Sequence, residues 1–117
     1  MRKIKVFLKE GMVLANNVVV AENFLDRLRG LMFIKRMSNF DGMLIMNCPS
    51  IHTFFMYFSI DVIFLNKDNQ ILKIYRKIKP WRMTKYIIKA QKALEFNGGF
   101  VPPSIQEGQY LNFVCIK

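Results

Sequence analysis

The segment from Asp61 to Ile78, "DVIFLNKDNQILKIYRKI", constrains the fold more than any other part of the chain. It contains an apolar run, the turn-favouring residues "NKDN", and a second run in which apolar and basic residues alternate. Two strand-like runs joined by a short polar turn are typical of a β-hairpin. Alternation in the second run predicts that Leu72 and Ile74 lie on the same face.

Other short apolar segments indicate further strands. "KIKVFL" places Ile4, Val6 and Leu8 on one face, which is the period of a half-buried strand. "MVLANNVVVA" also resembles a strand, and its Asn16-Asn17 pair predicts a turn or a bulge. The remaining predicted strands are "GMLIMN", "HTFFM", "KALEFN" and "QYLNFVCIK", with "FVPPSIQEG" as a loop or one helical turn.

The segment "AENFLDRLRGLMF" has a helical period instead. Asn23 is a suitable N-cap, and Gly30 either permits close packing or marks the end of the helix. The apolar residues recur at helical spacing and predict an amphipathic helix with one buried stripe. That stripe consists of Phe24, Leu25, Leu28, Leu31 and Met32.

Together these segments predict a mainly β (α+β) fold with seven or eight short strands and one or two short helices. A small β-sandwich or a partly closed barrel fits this pattern. A length of 117 residues suits a single domain, residues 1–117, with one core.

The most apolar stretch is "SIHTFFMYFSIDVIFL", residues 50–65. It is shorter than the ~18 to 20 apolar residues that a membrane-spanning helix needs, and it contains Asp61. We predict two core strands with a tight connection, with His52 and Asp61 at their ends. The N-terminal sequence lacks the uninterrupted apolar core of a signal peptide, so a cytoplasmic location without a transmembrane segment is expected.

The formal net charge of +10 favours anionic partners. Residues 73–92 contain eight Lys or Arg and no Asp or Glu, with aromatic residues interleaved. This pattern predicts weak binding of nucleic acid or another polyanion, and its alternative is a solvated face that protects strand edges. The candidate anion-binding patch is Lys73, Arg76, Lys77, Lys79, Arg82, Lys85, Lys89 and Lys92.

Cys48 and Cys115 are the only cysteines, and their spacing fits neither a disulfide framework nor a zinc motif. We expect two buried free thiols in a reducing compartment. His52 is the only histidine, so no tightly bound metal is expected, and no cofactor is predicted. The sequence also lacks a recognisable nucleophile signature and a Gly-rich phosphate loop.

Five motifs in order, "RLRGLMF", "DGMLIMN", "HTFFMYFSIDVIFL", "KPWR" and "KALEFNGG", resemble the bacterial and archaeal domain-of-unknown-function family 192. The resemblance runs from about Glu22 to the C-terminus. It implies a small, single-domain, mainly β protein and no established activity. The shared polar positions are matched here by Arg27, His52, Asp61 and Glu95, with further matches at Gly30, Gly42, Met56, Pro80 and Trp81.

Asp61 lies in an apolar run, where a carboxylate must be paired or hydrogen-bonded. Arg27, Arg82 and His52 are possible partners, and an Arg27–Asp61 ion pair is the simplest structural interpretation. The functional interpretation is a small polar cleft, since a carboxylate with a Trp or an Arg can hold a polar or anionic ligand. The candidate cleft is Arg27, His52, Asp61, Trp81, Arg82 and Glu95.

Three functions remain open from the sequence. The first is a non-catalytic binding or accessory module whose cleft takes a small polar or anionic ligand. The second is an enzyme that uses a His52, Asp61 and Glu95 cluster for acid–base chemistry. The third is a weak nucleic-acid or polyanion binder that uses residues 73–92. The sequence predicts neither the ligand nor the oligomeric state.

Overall fold

The computed structural model describes residues 1–116 and confirms a mainly β fold with one short helix. Lys117, the last residue of the predicted final strand, lies outside the described residues. The elements in chain order are β1 (Arg2–Leu8), β2 (Val13–Ala21), α1 (Phe24–Arg29), β3 (Gly42–Met46), β4 (Ile60–Leu65), β5 (Ile71–Ile78), β6 (Lys92–Asn97) and β7 (Leu111–Ile116).

The seven strands form one sheet in the order β5-β4-β6-β3-β2-β1-β7. The β2–β3 pair is parallel, and the other pairs are antiparallel. Parallel neighbours need a long crossover, and here the connection from β2 to β3 contains α1. The β4–β5 pair confirms the predicted hairpin. The first strand, β1, lies between β2 and the last strand, β7.

The two ends of the sheet approach each other at one point. An isolated bridge joins Gln70 to Tyr110, and it connects the β4–β5 turn with the start of β7. The Ile71 amide donates to the Gln109 carbonyl at 2.8 Å, and the Leu111 amide donates to the Asn69 carbonyl at 2.9 Å. The sheet is therefore a curled, partly closed barrel, as predicted, and not a sandwich.

The concave face of the sheet holds one hydrophobic core to which every strand contributes. Ile4, Val6 and Leu8 of β1 are buried there, which confirms the predicted alternation. Phe96 of β6 is a large, fully buried side chain of this core. Other members are Val18, Val20, Leu44, Ile63, Leu65, Ile71, Leu94, Val101, Ile105 and Leu111.

The opposite face of the central strands is covered by three loop segments, residues 31–40, 48–58 and 79–90. Leu31, Ile51 and Ala90 from these segments are buried against strand residues such as Met43 and Val62. Loops thus replace the second layer that a sandwich would supply from another sheet. Polar strand residues on this face are consequently buried under loops.

Asn16 and Asn17 form a β-bulge, one of the two predicted alternatives. Ile4 pairs with Val18 and Val6 pairs with Ala15, so β2 has one extra residue between these pairs. One carboxylate oxygen of Asp41 accepts from the Asn16 amide at 3.0 Å and from the Asn17 amide at 3.1 Å. The carboxylate therefore satisfies backbone donors at the bulge.

The helix α1 begins as predicted, because the Asn23 side chain accepts from the Asp26 amide at 2.8 Å. It ends at Gly30, which caps it with a φ of 50°. The predicted buried stripe is wrong for the helix itself, since none of the helix residues is buried. Phe24 is 62% exposed and Leu28 is 61% exposed. Of the stripe, only Leu31, which follows the end of the helix, is buried.

Two strand predictions need correction. The segment His52–Met56 is a loop with a single bridge from His52 to Met83, because Phe55 has a φ of 61° that a strand does not accommodate. Residues 50–65 therefore contribute one core strand, β4, instead of two. In β5, Phe64 pairs with Lys73 and Leu65 pairs with Ile71, so Leu72 is an extra residue. This bulge places Leu72 and Ile74 in different clusters, on opposite faces of the sheet.

Candidate functional site

Glu95 is a buried carboxyl group in the middle of β6. It pairs with Met43 of β3 and with Val62 of β4, so its side chain lies on the loop-covered face. Only 3% of the residue is exposed. Among the side-chain hydrogen bonds described for residues 1–116, none involves its carboxyl oxygens, and the one fully buried polar side-chain atom left without a partner there is Asn17 Oδ1. The carboxyl oxygens of Glu95 are therefore not sealed off, and they keep a small exposed area.

A cavity of about 80 Å³ lies above Glu95, and its volume matches roughly two to three water molecules. One wall comes from the C-terminal end of α1 and the following turn, the other from the loop after β3. His52 and Ser50 at the rim are exposed to solvent. The lining is Arg27, Leu28, Arg29, Gly30, Leu31, Met32, Ile45, Cys48, Ser50, Ile51, His52, Met56 and Glu95.

Burial raises the pKa of Glu95 to about 8, because the apolar surroundings disfavour the charged form. The side chain is therefore mainly a neutral carboxylic acid at pH 7. In that form it can donate one hydrogen bond and accept another. The floor of the cavity thus offers both kinds of hydrogen bond to a ligand group.

Cys48 is a neighbour of Glu95 that the predicted cleft did not include. Burial, and secondly the negative charge of Glu95, raise the pKa of the Cys48 thiol to about 12. Its Sγ donates to the Ser50 carbonyl at 3.0 Å. A protonated thiol is a poor nucleophile, so Cys48 shapes the wall and does not supply a reactive group.

The second cysteine differs from the prediction. Cys115 on β7 is exposed, and Cys48 is only partly buried, so the expectation of two buried thiols is wrong. Cys115 lies on an edge strand, where alternate side chains face solvent.

His52 lies at the rim of the cavity and is exposed. Its Nδ1 accepts from the Phe54 amide at 3.2 Å, so a neutral imidazole carries its proton on Nε2. The ring stacks on Phe54 with 4.9 Å between centroids. His52 therefore presents one N–H donor beside the cavity, with its ring orientation fixed by a local turn.

Asp61 does not belong to this site. It is fully buried, and its carboxylate accepts from the amides of Lys77 at 2.8 Å, Gly99 at 3.1 Å and Val101 at 3.0 Å. The proposed Arg27–Asp61 ion pair is wrong, because the backbone supplies the hydrogen bonds instead. Asp61 joins the end of β5 to the loop after β6, which is a structural role.

Trp81 and Arg82 also lie outside the cavity lining. Both are exposed, and their amides donate to Thr53, at 3.0 Å to its carbonyl and at 2.8 Å to its hydroxyl. Of the six predicted cleft residues, the structure brings together Arg27, His52 and Glu95. Trp81 was included in the predicted cleft because it matches the family motif "KPWR", and Arg82 because it was a possible partner of Asp61.

The predicted basic patch divides into two groups. Lys73 pairs with Glu107 at 3.9 Å, Arg76 donates to the Val101 carbonyl at 2.6 Å, and Lys92 donates to Asn69. These three cations have partners within the protein, although Lys73 and Arg76 are themselves exposed and only Lys92 is partly buried. The other five are also exposed: Lys77, Lys79, Arg82, Lys85 and Lys89.

Two structural features are absent from the described residues 1–116. No group of three His, Cys, Asp or Glu side chains is arranged to hold a metal ion. No helix in that part of the chain has the length and apolar character needed to cross a membrane.

The fold is similar to two solved structures. A protein of unknown function from Novosphingobium aromaticivorans superposes with a TM-score of 0.74 and 20% identity, over 94% of this chain and 83% of the other. A Sinorhizobium meliloti protein, described as a candidate transcription regulator, gives 0.75 and 23%, over 96% and 92%. At these identities the likeness concerns the fold alone.

Sequence relatives come from archaea and are called UPF0127 proteins. The Thermococcus sibiricus relative is 36% identical over 93 residues, which cover 68% of this chain and 58% of the relative. The Thermococcus kodakarensis relative is 30% identical over 112 residues, or 89% of this chain and 69% of the relative. The profile of the family described as "Uncharacterized ACR" matches residues 6–113. The chain therefore belongs to the domain-of-unknown-function family 192.

Proposed function

We propose that the chain is a single-domain, non-catalytic binding module whose site is the cavity above Glu95. The observation that supports this most is the carboxyl of Glu95, which belongs to a buried residue, lines a cavity and takes part in none of the side-chain hydrogen bonds described for residues 1–116. A ligand that reaches the floor of the cavity would therefore find this carboxyl group free to form hydrogen bonds.

The ligand is small, and it is polar or anionic. The cavity admits one group of a few heavy atoms, so the rest of the ligand lies across the rim. A neutral Glu95 side chain can donate to a carboxylate or amide oxygen, and Arg27 and Arg29 place positive charge beside the opening. A carboxylate or an amide therefore fits the cavity better than an ammonium group.

The enzyme hypothesis loses its predicted cluster. Asp61 is saturated by backbone amides on the other face of the sheet, so His52, Asp61 and Glu95 do not assemble. The thiol of Cys48 is held protonated. An acid–base reaction would have to rely on His52 and Glu95 alone. Binding of a small polar group requires only the hydrogen-bonding and charged groups that line the cavity.

Weak binding of nucleic acid or another polyanion is the second candidate. Seven of the eight cations of residues 73–92 are exposed, all except Lys92, and this observation supports the hypothesis. A cytoplasmic location is part of the proposal as well, since an exposed free thiol at Cys115 suits a reducing compartment.

The cavity is tested with small probes and ¹⁵N-labelled protein. Acetate and acetamide should shift the amide resonances of Gly30, Ser50 and His52, and methylammonium should not. Arg27→Gln should weaken acetate more than acetamide, because only acetate is charged. Lys3→Gln, a change of the same kind on β1, is the control. If none of the three probes shifts these resonances up to its solubility, the cavity is not a binding site.

A further inference from the structure

Three aromatic side chains from three different loops meet on the surface. The ring centroids of Phe33 and Phe55 are 5.3 Å apart, and those of Phe55 and Trp81 are 4.8 Å apart. Their exposed fractions are 56%, 49% and 56%, respectively. We call Phe33, Phe55 and Trp81 the aromatic ridge. A monomer rarely leaves contiguous aromatic side chains half exposed without a partner.

The backbone of all three ridge residues is left-handed. The φ angles are 66° at Phe33, 61° at Phe55 and 65° at Trp81. Elsewhere, the non-glycine residues at such angles are Asn47, Asn69, Lys77 and Lys89, of which Asn tolerates them best. A bulky ring in this region is a strained choice, and strained residues of this kind cluster at ligand sites. This backbone strain is explained if the function of the protein requires the three rings to point outward.

The ridge is held in place by hydrogen bonds between the loops. The Phe33 amide donates to the Phe55 carbonyl at 2.9 Å, and the Trp81 amide donates to the Thr53 carbonyl at 3.0 Å. Thr53 is fully buried, and its hydroxyl donates to the Lys79 carbonyl at 2.6 Å. The rings are thus pre-organised, and a partner that covers them need not order the loops first.

The three loop segments that carry the ridge have charge of one sign. Residues 31–40, 48–58 and 79–90 contain no Asp or Glu. Apolar side chains beyond the ridge are also exposed, with Met83 at 71% and Ile88 at 77%. The cations of these segments are Lys35, Arg36, Lys79, Arg82, Lys85 and Lys89. Aromatic, aliphatic and cationic side chains on one surface are the composition of a membrane-interface contact.

We propose that this loop face docks onto bilayers that contain anionic phospholipids. The aromatic ridge enters the boundary between headgroups and acyl chains, and the surrounding cations contact lipid phosphates. A bilayer explains the exposed Met83 and Ile88, which have no role in stacking on nucleic-acid bases. The inference does not depend on the ligand of the Glu95 cavity, although His52, at its rim, stacks on Phe54, which in turn stacks on Trp81.

Trp81 is the only tryptophan, so its fluorescence reports directly on the ridge. Vesicles of phosphatidylcholine mixed with phosphatidylglycerol should shift its emission to shorter wavelength, and brominated lipid should quench it. Vesicles of phosphatidylcholine alone should bind much more weakly. Affinity for the anionic vesicles should fall as salt rises, because lipid phosphates and lysines are screened. An unshifted Trp81 emission with anionic vesicles at low salt would overturn the proposal.

The matched variants are chosen to suit the left-handed backbone. Phe33→Asn with Phe55→Asn keeps the Trp81 reporter, and vesicle affinity should fall by about tenfold or more, from the apolar area of the two rings. Tyr110→Asn changes an aromatic residue just before β7, which bridges to Gln70 beside the β4–β5 turn and lies outside the three loop segments. This variant should bind like the native protein. Unchanged vesicle affinity of the double variant contradicts the proposal. Binding to single-stranded DNA but not to vesicles would assign the face to nucleic acid and also refute it.

Discussion

Asp61 and Glu95 lie one register step apart on neighbouring strands and face opposite sides of the sheet. Asp61 pairs with Phe96, whose ring is in the concave core, whereas Glu95 pairs with Val62 under the loops. One carboxyl is surrounded by backbone donors, and the other takes part in none of the side-chain hydrogen bonds described for residues 1–116. Two acids that the family resemblance grouped together therefore have separate roles, one in the fold and one in the candidate site.

Asp61→Ala should destabilise the protein by about 3 to 5 kcal/mol, because it leaves three backbone amides without their acceptor. Urea unfolding followed by circular dichroism measures this change. Asp68→Ala, at an exposed position in the β4–β5 turn, is the matched control and should change stability by less than ~0.5 kcal/mol. Equal unfolding midpoints for Asp61→Ala and the native protein would refute the structural role.

Stability should decrease as pH rises through the range set by Glu95. Its pKa is raised from 4.5 in the unfolded reference to about 8, so the folded state binds more protons between these values. The free energy of unfolding contributed by this group is largest below pH 4.5 and falls up to about pH 8. The slope is at most ~1.4 kcal/mol per pH unit.

Glu95→Gln should remove this pH dependence, because an amide does not ionise in the range. Glu107→Gln, which changes an exposed carboxylate, should leave the dependence in place. The measurement is urea unfolding at a series of pH values. A native stability curve that is flat between pH 5 and pH 8 would show that Glu95 is already charged in the folded protein at neutral pH.

The two thiols should react at very different rates with a disulfide reagent. Cys115 is exposed, whereas burial raises the pKa of Cys48 to about 12 and leaves little thiolate. Cys115→Ser should abolish the fast phase of labelling in the native protein, and Cys48→Ser should retain it. A fast phase that survives in Cys115→Ser would mean that Cys48 is more open and more acidic than its surroundings indicate.

Gly42→Ala should destabilise the centre of the sheet. A Cβ atom at this position would lie 2.5 Å from the Glu95 carbonyl oxygen and 2.5 Å from Cδ1 of Phe96. Overpacking of this kind costs ~1 to 3 kcal/mol, and here a backbone atom is among the contacts, so the upper value is expected. Thermal unfolding tests it. A melting temperature equal to that of the native protein would contradict the close approach of β3 and β6.

The sequence predicts strands well where a single period holds. Ile4, Val6 and Leu8 alternate because one face of β1 meets the core and the other does not. The Asn23 cap was also predictable, since capping is a local interaction. Leu72 and Ile74 could not be assigned correctly, because bulges in β5 depend on the pairing with β4 and not on β5 alone.

The candidate site was harder to predict because its members are brought together by loops. Arg27, His52 and Glu95 come from a helix end, a loop and a central strand, and only the fold makes them neighbours. Cys48 lies four residues before His52 in the sequence. This spacing was a weak indication that both residues line the cavity above Glu95. Asp61 was misassigned because a sequence does not reveal that backbone amides, and not an arginine, surround a carboxylate.

The pairing of the first and last strands has a consequence for synthesis on the ribosome. Leu8 pairs with Leu111 and Lys3 pairs with Ile116, so the outer edge of β1 is completed only by β7, which is translated after the other six strands. Until then, β1 presents unpaired backbone groups to other nascent chains. Its basic residues, Arg2, Lys3 and Lys5, place repelling charges along that edge during the interval. Part of the positive charge of this protein thus protects it before folding is complete.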